Sequence, residues 1–178
     1  MEYLQAKENP NTEKVILQLH GGGYVGAMRN AYRMFAGLYC EVSHGMSVLT
    51  PDYRVAPEHP YPAALEDAYA AYCYLLEQGW FSEQIIIAGD SAGGGLAMAL
   101  CHYLKDHGKQ LPCGIVAMSP WTDLAASGES YETNFERDPL LEKQGTALFI
   151  IKIILGITIR IMLIFRLYMG ISGDFRRC

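Results

Sequence analysis

Two short stretches hold residue types and spacings that could do chemistry. Gly89-Asp90-Ser91-Ala92-Gly93 fits the pattern G-x-S-x-G, and it follows the apolar run "QIIIAG" and precedes the helix-like "AGGGLAMALCHYLKDHG". A strand, a tight turn and a helix in that order would lift a serine hydroxyl to the edge of a sheet, with the helix's free N–H groups beneath it. Side chains at Gly89 and Gly93 would collide with the neighbouring strand and helix, which explains the glycines. The string alone also occurs at turns without chemistry. A phosphate-binding loop is a poorer fit, because no lysine follows these glycines.

The second stretch is "LHGGGYV" (19–25), which sits after the apolar run "KVILQLH". Acyl transfer passes through an oxyanion, and two or three backbone N–H donors must be aimed at it. Gly21, Gly22 and Gly23 would let main chain approach that oxygen unobstructed. A glycine run in isolation is usually a flexible turn. Its place at a strand end, upstream of the serine, is the order an oxyanion loop requires.

The elements that must position these residues alternate along the chain. Strands are expected at 14–20, 46–53, 84–89 and 113–120, and helices at 30–43, 63–79 and 92–108, with a proline-rich connection at 56–62. Such alternation implies a mostly parallel sheet with helices on both faces and ligands at the strands' carboxyl ends. His20, Asp52, Ser91 and Ser119 fall at such ends.

Four stretches, "HGGGYV", "DYRVAPEHPYPAALEDAYAAYCYL", "GDSAGGGLAMAL" and "SPWTDL", together resemble the hormone-sensitive-lipase-like group of α/β-hydrolases, which contains bacterial carboxylesterases. The resemblance covers about residues 14 to 144. It implies an α/β-hydrolase fold that hydrolyses small carboxylic esters, often short acyl ones, without metal or organic cofactor. It makes Ser91 the nucleophile and the N–H groups of Gly22, Gly23 and Ala92 the oxyanion hole. His20 then orders the glycine loop and is not the base, Asp90 is the residue beside the nucleophile, and Asp52 and Arg54 are structural. His59 is read as a loop residue.

The chain departs from the family at its ends. A serine nucleophile needs a histidine oriented by a carboxylate, in the chain order Ser, acid, His. The histidines after Ser91 are His102 and His107. Both lie on the helix that starts at the serine, about 16 Å and 24 Å along it at 1.5 Å per residue. Neither reaches the hydroxyl. Asp138, before Pro139, is expected to cap a helix. The lid, the first strands and the C-terminal strands bearing acid and histidine are expected to be missing, so residues 1–145 are read as a partial hydrolase core that turns over slowly or not at all. A non-catalytic ligand-binding protein on the same scaffold is the alternative.

From about Thr146 the composition changes. "ALFIIKIILGITIRIMLIFRLYMGI" (147–171) is apolar, but Lys152, Arg160 and Arg166 interrupt it, and no uncharged stretch reaches the length of a membrane span. With suitable third bases, the codons for "GITIRIMLIFRLYMGISGDFRRC" regroup one nucleotide out of phase to "GDNDPNNAYISPLYGDFRGFPPM". That peptide is polar, turn-rich and similar to what the family carries there. Residues 146–178 are therefore read as a frameshift product.

Composition narrows the partners. The 178 residues are 51% hydrophobic and 19% charged with net charge −5, which suits one globular domain and gives no basic patch for nucleic acid. The start, "MEYLQAKENPNTEK", is no secretory signal. Five scattered cysteines without a CxxC pair point to reduced thiols and a cytoplasmic setting, with no metal site. Oligomeric state is left open.

Overall fold

The structure, a computed structural model, describes residues 1–134, 137, 150–151 and 153–155. Five strands form one sheet: β1 (Glu2–Leu4), β2 (Asn11–Leu19), β3 (Met46–Thr50), β4 (Ile85–Asp90) and β5 (Gly114–Met118). Their order is β1-β3-β2-β4-β5, with β1 antiparallel to β3 and every other pairing parallel. The helices are α1 (Asn30–Val42), α2 (Ala63–Glu77), α3 (Ala92–Asp106) and the single turn α4 (Ser130–Thr133).

The buried stretches of β2, β3 and β4 are largely apolar, with Gln18, Ser47 and Thr50 as polar exceptions, because both of their faces are covered. On one face, Ile16, Val48 and Ala88 pack with Ala36 of α1. On the other, Leu17, Leu49, Ile85 and Ile87 meet Leu65, Ala68, Tyr72 and Leu75 of α2 and Leu96, Leu100 and Leu104 of α3. The three- and four-residue spacing along α2 and α3 puts these side chains on one stripe. Each fully buried leucine contributes about 1.5–3 kcal/mol through its removal from water.

The connections fix where a site can form. From β2 the chain crosses through α1 to β3, and from β3 it passes through α2 to β4 on the far side of β2. Strands β2 and β4 are adjacent, yet α1 after β2 and α3 after β4 cover opposite faces. Their carboxyl ends therefore flank the crevice where strand order reverses, the place ligands occupy in open α/β sheets.

Three features differ from the sequence reading. The start of the chain contributes a short antiparallel edge strand, β1, whose residues Glu2, Tyr3 and Leu4 are all exposed. Strand β2 begins three residues early and slips register between Asn11 and Val15. Residues 150–151 and 153–155 are helical, and Ile151, Ile154 and Leu155 join the core, with the Tyr61 N–H donating to the Ile154 carbonyl at 2.8 Å. The remainder of the apolar tail from 156, and Asp138, lie outside the described residues. Among the described residues no helix is long and apolar enough to cross a membrane, and no cluster of His, Cys, Asp or Glu could hold a metal ion.

Candidate active site

Ser91 sits between β4 and α3 with φ 49° and ψ −118°, a conformation that L residues adopt only under constraint. The constraint comes from both sides of the backbone. The Ser91 N–H donates to the Met118 carbonyl at 2.9 Å, and the Ser91 carbonyl accepts from the Trp121 N–H at 2.8 Å and the Gly95 N–H at 3.1 Å. The bend leaves Ser91 exposed while Ala92 through Ala97 are buried.

The small residues around the bend are required by contact. A Cβ on Gly89 would lie 2.5 Å from the Gly93 carbonyl carbon and oxygen. A Cβ on Gly93 would overlap the Leu19 carbonyl oxygen and come 2.5 Å from that of His20. One on Gly94 would press on Pro120 at 3.0 Å. Helix α3 thus starts against the end of β2, and this contact brings the serine bend beside the glycine turn.

That turn is held by a set of named bonds. The Gly21 N–H donates to the Tyr32 hydroxyl at 2.9 Å and to Asp90 Oδ1 at 3.1 Å. The Tyr32 hydroxyl in turn donates to Asp90 Oδ2 at 3.1 Å. Beyond, the Gly22 carbonyl accepts from the N–H groups of Val25 at 3.2 Å and Gly26 at 2.8 Å. Gly22 and Gly23 have φ of +121° and +62°, which only glycine adopts at little cost. Between these anchors the N–H groups of Gly22 and Gly23, and that of Ala92 across the crevice, donate to no acceptor among the described residues. Ala92 opens α3, so its N–H also carries the positive end of a helix dipole.

His20 is fully buried and its ring stacks on Tyr53 at 4.0 Å. Its Nδ1 lies 2.7 Å from the Gly21 carbonyl, an acceptor, so Nδ1 carries the proton. Nε2 is buried without a partner among the described residues. Burial holds the pKa below the ordinary value despite the Gly21 hydrogen bond and the charges of Asp52 and Asp90. The ring is neutral, and it braces the turn from beneath. The Tyr53 hydroxyl, donating to the His20 carbonyl, fixes the same residue.

The other flagged residues are placed elsewhere. Asp52 accepts from the Met28 N–H at 3.3 Å, and Arg54 pairs with Asp67 at 2.8 Å and Glu66 at 3.2 Å. His59 lines a small apolar cavity with Tyr24, Leu65, Leu96 and Ile154. His102 and His107 are exposed on α3, and His107 stacks on Tyr103 at 4.0 Å. The exposed Ser91 hydroxyl has no hydrogen-bond partner among the described residues. Sequence reasoning missed Tyr32, Tyr53 and Trp121. Tyr53 lies in "DYR" and Trp121 in "SPWTDL", but no spacing rule points to the hydroxyl of Tyr32 or the N–H of Trp121.

Comparison with known proteins identifies the family of this fold. Residues 16–161 match the family described as having the alpha/beta hydrolase fold. An acetyl-hydrolase of Streptomyces hygroscopicus is 44% identical over 129 residues, 72% of this chain and 43% of that protein. Mouse hormone-sensitive lipase is 32% identical over 136 residues, 74% of this chain and 18% of that one. The crystal structure of an esterase from the bacterial hormone-sensitive lipase family superposes with TM-score 0.76 at 37% identity, covering 87% of this chain and 55% of that one. The chain spans less than half the length of these two relatives and about half of that structure. With a parallel sheet, a strained serine after β4 and relatives named as esterases and lipases, the chain belongs to the α/β-hydrolase family, in its hormone-sensitive-lipase-like, carboxylesterase-type group.

Proposed function

We propose that this chain carries the nucleophile and oxyanion half of a serine-dependent hydrolase of small carboxylic esters. Ser91 attacks the acyl carbon, and the N–H groups of Gly22, Gly23 and Ala92 receive the negative charge that develops on the carbonyl oxygen. The single observation that supports this most is the set of three N–H groups with no acceptor among the described residues, on a turn and a helix start that touch at Gly93, together with a serine held at φ 49°. Asp90 contributes by holding Gly21, so the residue next to the nucleophile also sets the loop.

The proton of Ser91 has no acceptor among the described residues, and His102 and His107 lie turns away on α3. We therefore assign this chain little or no turnover, because loss of one triad member leaves only the residual rate from binding and the oxyanion hole. The same observation favours the second reading, a protein that binds an ester or carboxylic acid in the crevice without hydrolysing it. Free cysteines fit a cytoplasmic setting for either.

The test compares the purified chain with a version in which a single-base change opens the regrouped frame and supplies the downstream acid and histidine. Hydrolysis of p-nitrophenyl butyrate is expected in the second, lost on Ser91→Ala, and nearly absent in the first. A frame-restored protein that is folded but inactive, or that keeps its activity in the Ser91→Ala variant, overturns the esterase reading. Coding DNA in which no single-base change opens such a frame overturns the frameshift reading of residues 146–178.

A further inference from the structure

We infer that Tyr32 is a positioning residue whose hydroxyl straps the glycine loop in its donor geometry. The inference rests on the esterase reading only for its catalytic meaning. The strap itself is a matter of bonds. The Gly21 N–H has two acceptors, the Tyr32 hydroxyl at 2.9 Å and Asp90 Oδ1 at 3.1 Å. The hydroxyl is the shorter contact, and by donating onward to Asp90 Oδ2 it closes a three-membered ring of groups from the turn after β2, from α1 and from β4. A hydroxyl that donates to a carboxylate becomes a better acceptor, so each bond in the ring strengthens the next.

The helix that carries Tyr32 is itself fixed. The Tyr32 N–H donates to the Arg29 carbonyl at 2.9 Å at the start of α1. The Tyr32 carbonyl accepts from Gln18 Nε2 at 3.1 Å, and Gln18 Oε1 accepts from the buried Thr50 hydroxyl at 3.0 Å. The main chain of Tyr32 is therefore tied to β2 and β3, and the hydroxyl itself is held by the Gly21 N–H and Asp90. Immediately after Gly21 come Gly22 and Gly23, both at positive φ, whose N–H groups have no acceptor among the described residues. Two neighbouring glycines have little stiffness of their own. Pinning the N–H before them and the Gly22 carbonyl between them leaves their N–H groups few directions to point. Asp90, which stands beside the serine, couples this aim to the nucleophile's own bend.

Tyr32→Phe removes one oxygen from a partly exposed side chain and should leave the fold intact, with a melting temperature close to that of the parent. The first readout is amide hydrogen exchange of the full chain by nitrogen-15 NMR. Loss of one neutral hydrogen bond predicts exchange at Gly21 faster by roughly threefold to tenfold, with Leu17 and Leu19 in β2 unchanged. Tyr39→Phe, on the same helix, should change none of them. Unchanged Gly21 exchange in Tyr32→Phe overturns the strap. The second readout is the dissociation constant of an arylboronic acid, which forms a tetrahedral adduct on a serine oxygen. It should rise by a similar factor in Tyr32→Phe and binding should vanish in Ser91→Ala. Boronate affinity that depends on Ser91 but not on Tyr32 removes the positioning role. Boronate binding indifferent to Ser91 removes the esterase reading, while the exchange result still decides the strap.

Discussion

Replacing Gly93 by alanine tests whether the bend and the glycine turn are held together by backbone contact. The added Cβ would overlap the Leu19 oxygen and lie 2.5 Å and 2.7 Å from the oxygen and carbon of His20. Ordinary carbon-to-oxygen approach is about 3.3–3.6 Å, so α3 and the end of β2 must part by about 1 Å. The obstructing atoms are main chain, and no side-chain tip can swing aside. Overpacking of this kind costs about 1–3 kcal/mol, and the lack of relief puts Gly93→Ala near the upper end, about 3 kcal/mol. For a chain of this length that lowers the melting temperature by roughly 6–12 °C. Gly37, in α1, is the control. A Cβ there meets nothing within 4 Å. Gly37→Ala should gain about 1 kcal/mol from helix propensity and raise the melting temperature by roughly 2–4 °C. Circular dichroism melts of the three proteins decide the matter. A Gly93→Ala protein that melts with the parent, or a Gly37→Ala protein that is the more damaged, would refute the contact argument.

Two further outcomes follow from the same site. Ser91→Gly should stabilise the fold while removing the proposed nucleophile: relief of about 1–3 kcal/mol of backbone strain, less the 0.5–1 kcal/mol that glycine loses in entropy, leaves about 1 kcal/mol, seen as a melting temperature a few degrees higher. Ser91→Ala, which keeps the strain, should show no such gain. The buried neutral His20 makes stability depend on pH. Its folded pKa lies below the ordinary 6.5, so the unfolded chain binds more protons as pH falls through that value. Stability from urea titration should hold above pH 6.5 and decline below it, and His20→Asn, whose amide can still donate to the Gly21 carbonyl, should flatten that decline.

Much of the fold was legible because its elements are locally encoded. Leu65, Ala68, Tyr72 and Leu75 mark α2 by spacing, and Val15 to Leu19 mark β2 by a run of apolar residues that only Gln18 interrupts. The site was legible where backbone geometry dictates residue type, as at Gly89, Ser91 and Gly93. Strand β1 was not, because its three exposed residues owe their conformation to pairing with β3, some 45 residues away. Tyr32 was hidden for a related reason. Its role depends on where α1 docks, and nothing within its own helix distinguishes it from Tyr39. Helical packing by Ile151, Ile154 and Leu155 was likewise not separable, by composition, from the run of apolar residues that follows.

The bond between Gly21 and Asp90 joins positions 69 residues apart, and it can form only after β2 and β4 have aligned Leu19 with Gly89. Contacts this remote in sequence close late, since the intervening chain must give up its freedom first. Boronate capture during refolding would therefore act as a clock for the zipping of the central strands. A collapsed chain with its helices formed but those strands unregistered would present the same serine without the proposed cradle of glycine N–H groups beside it.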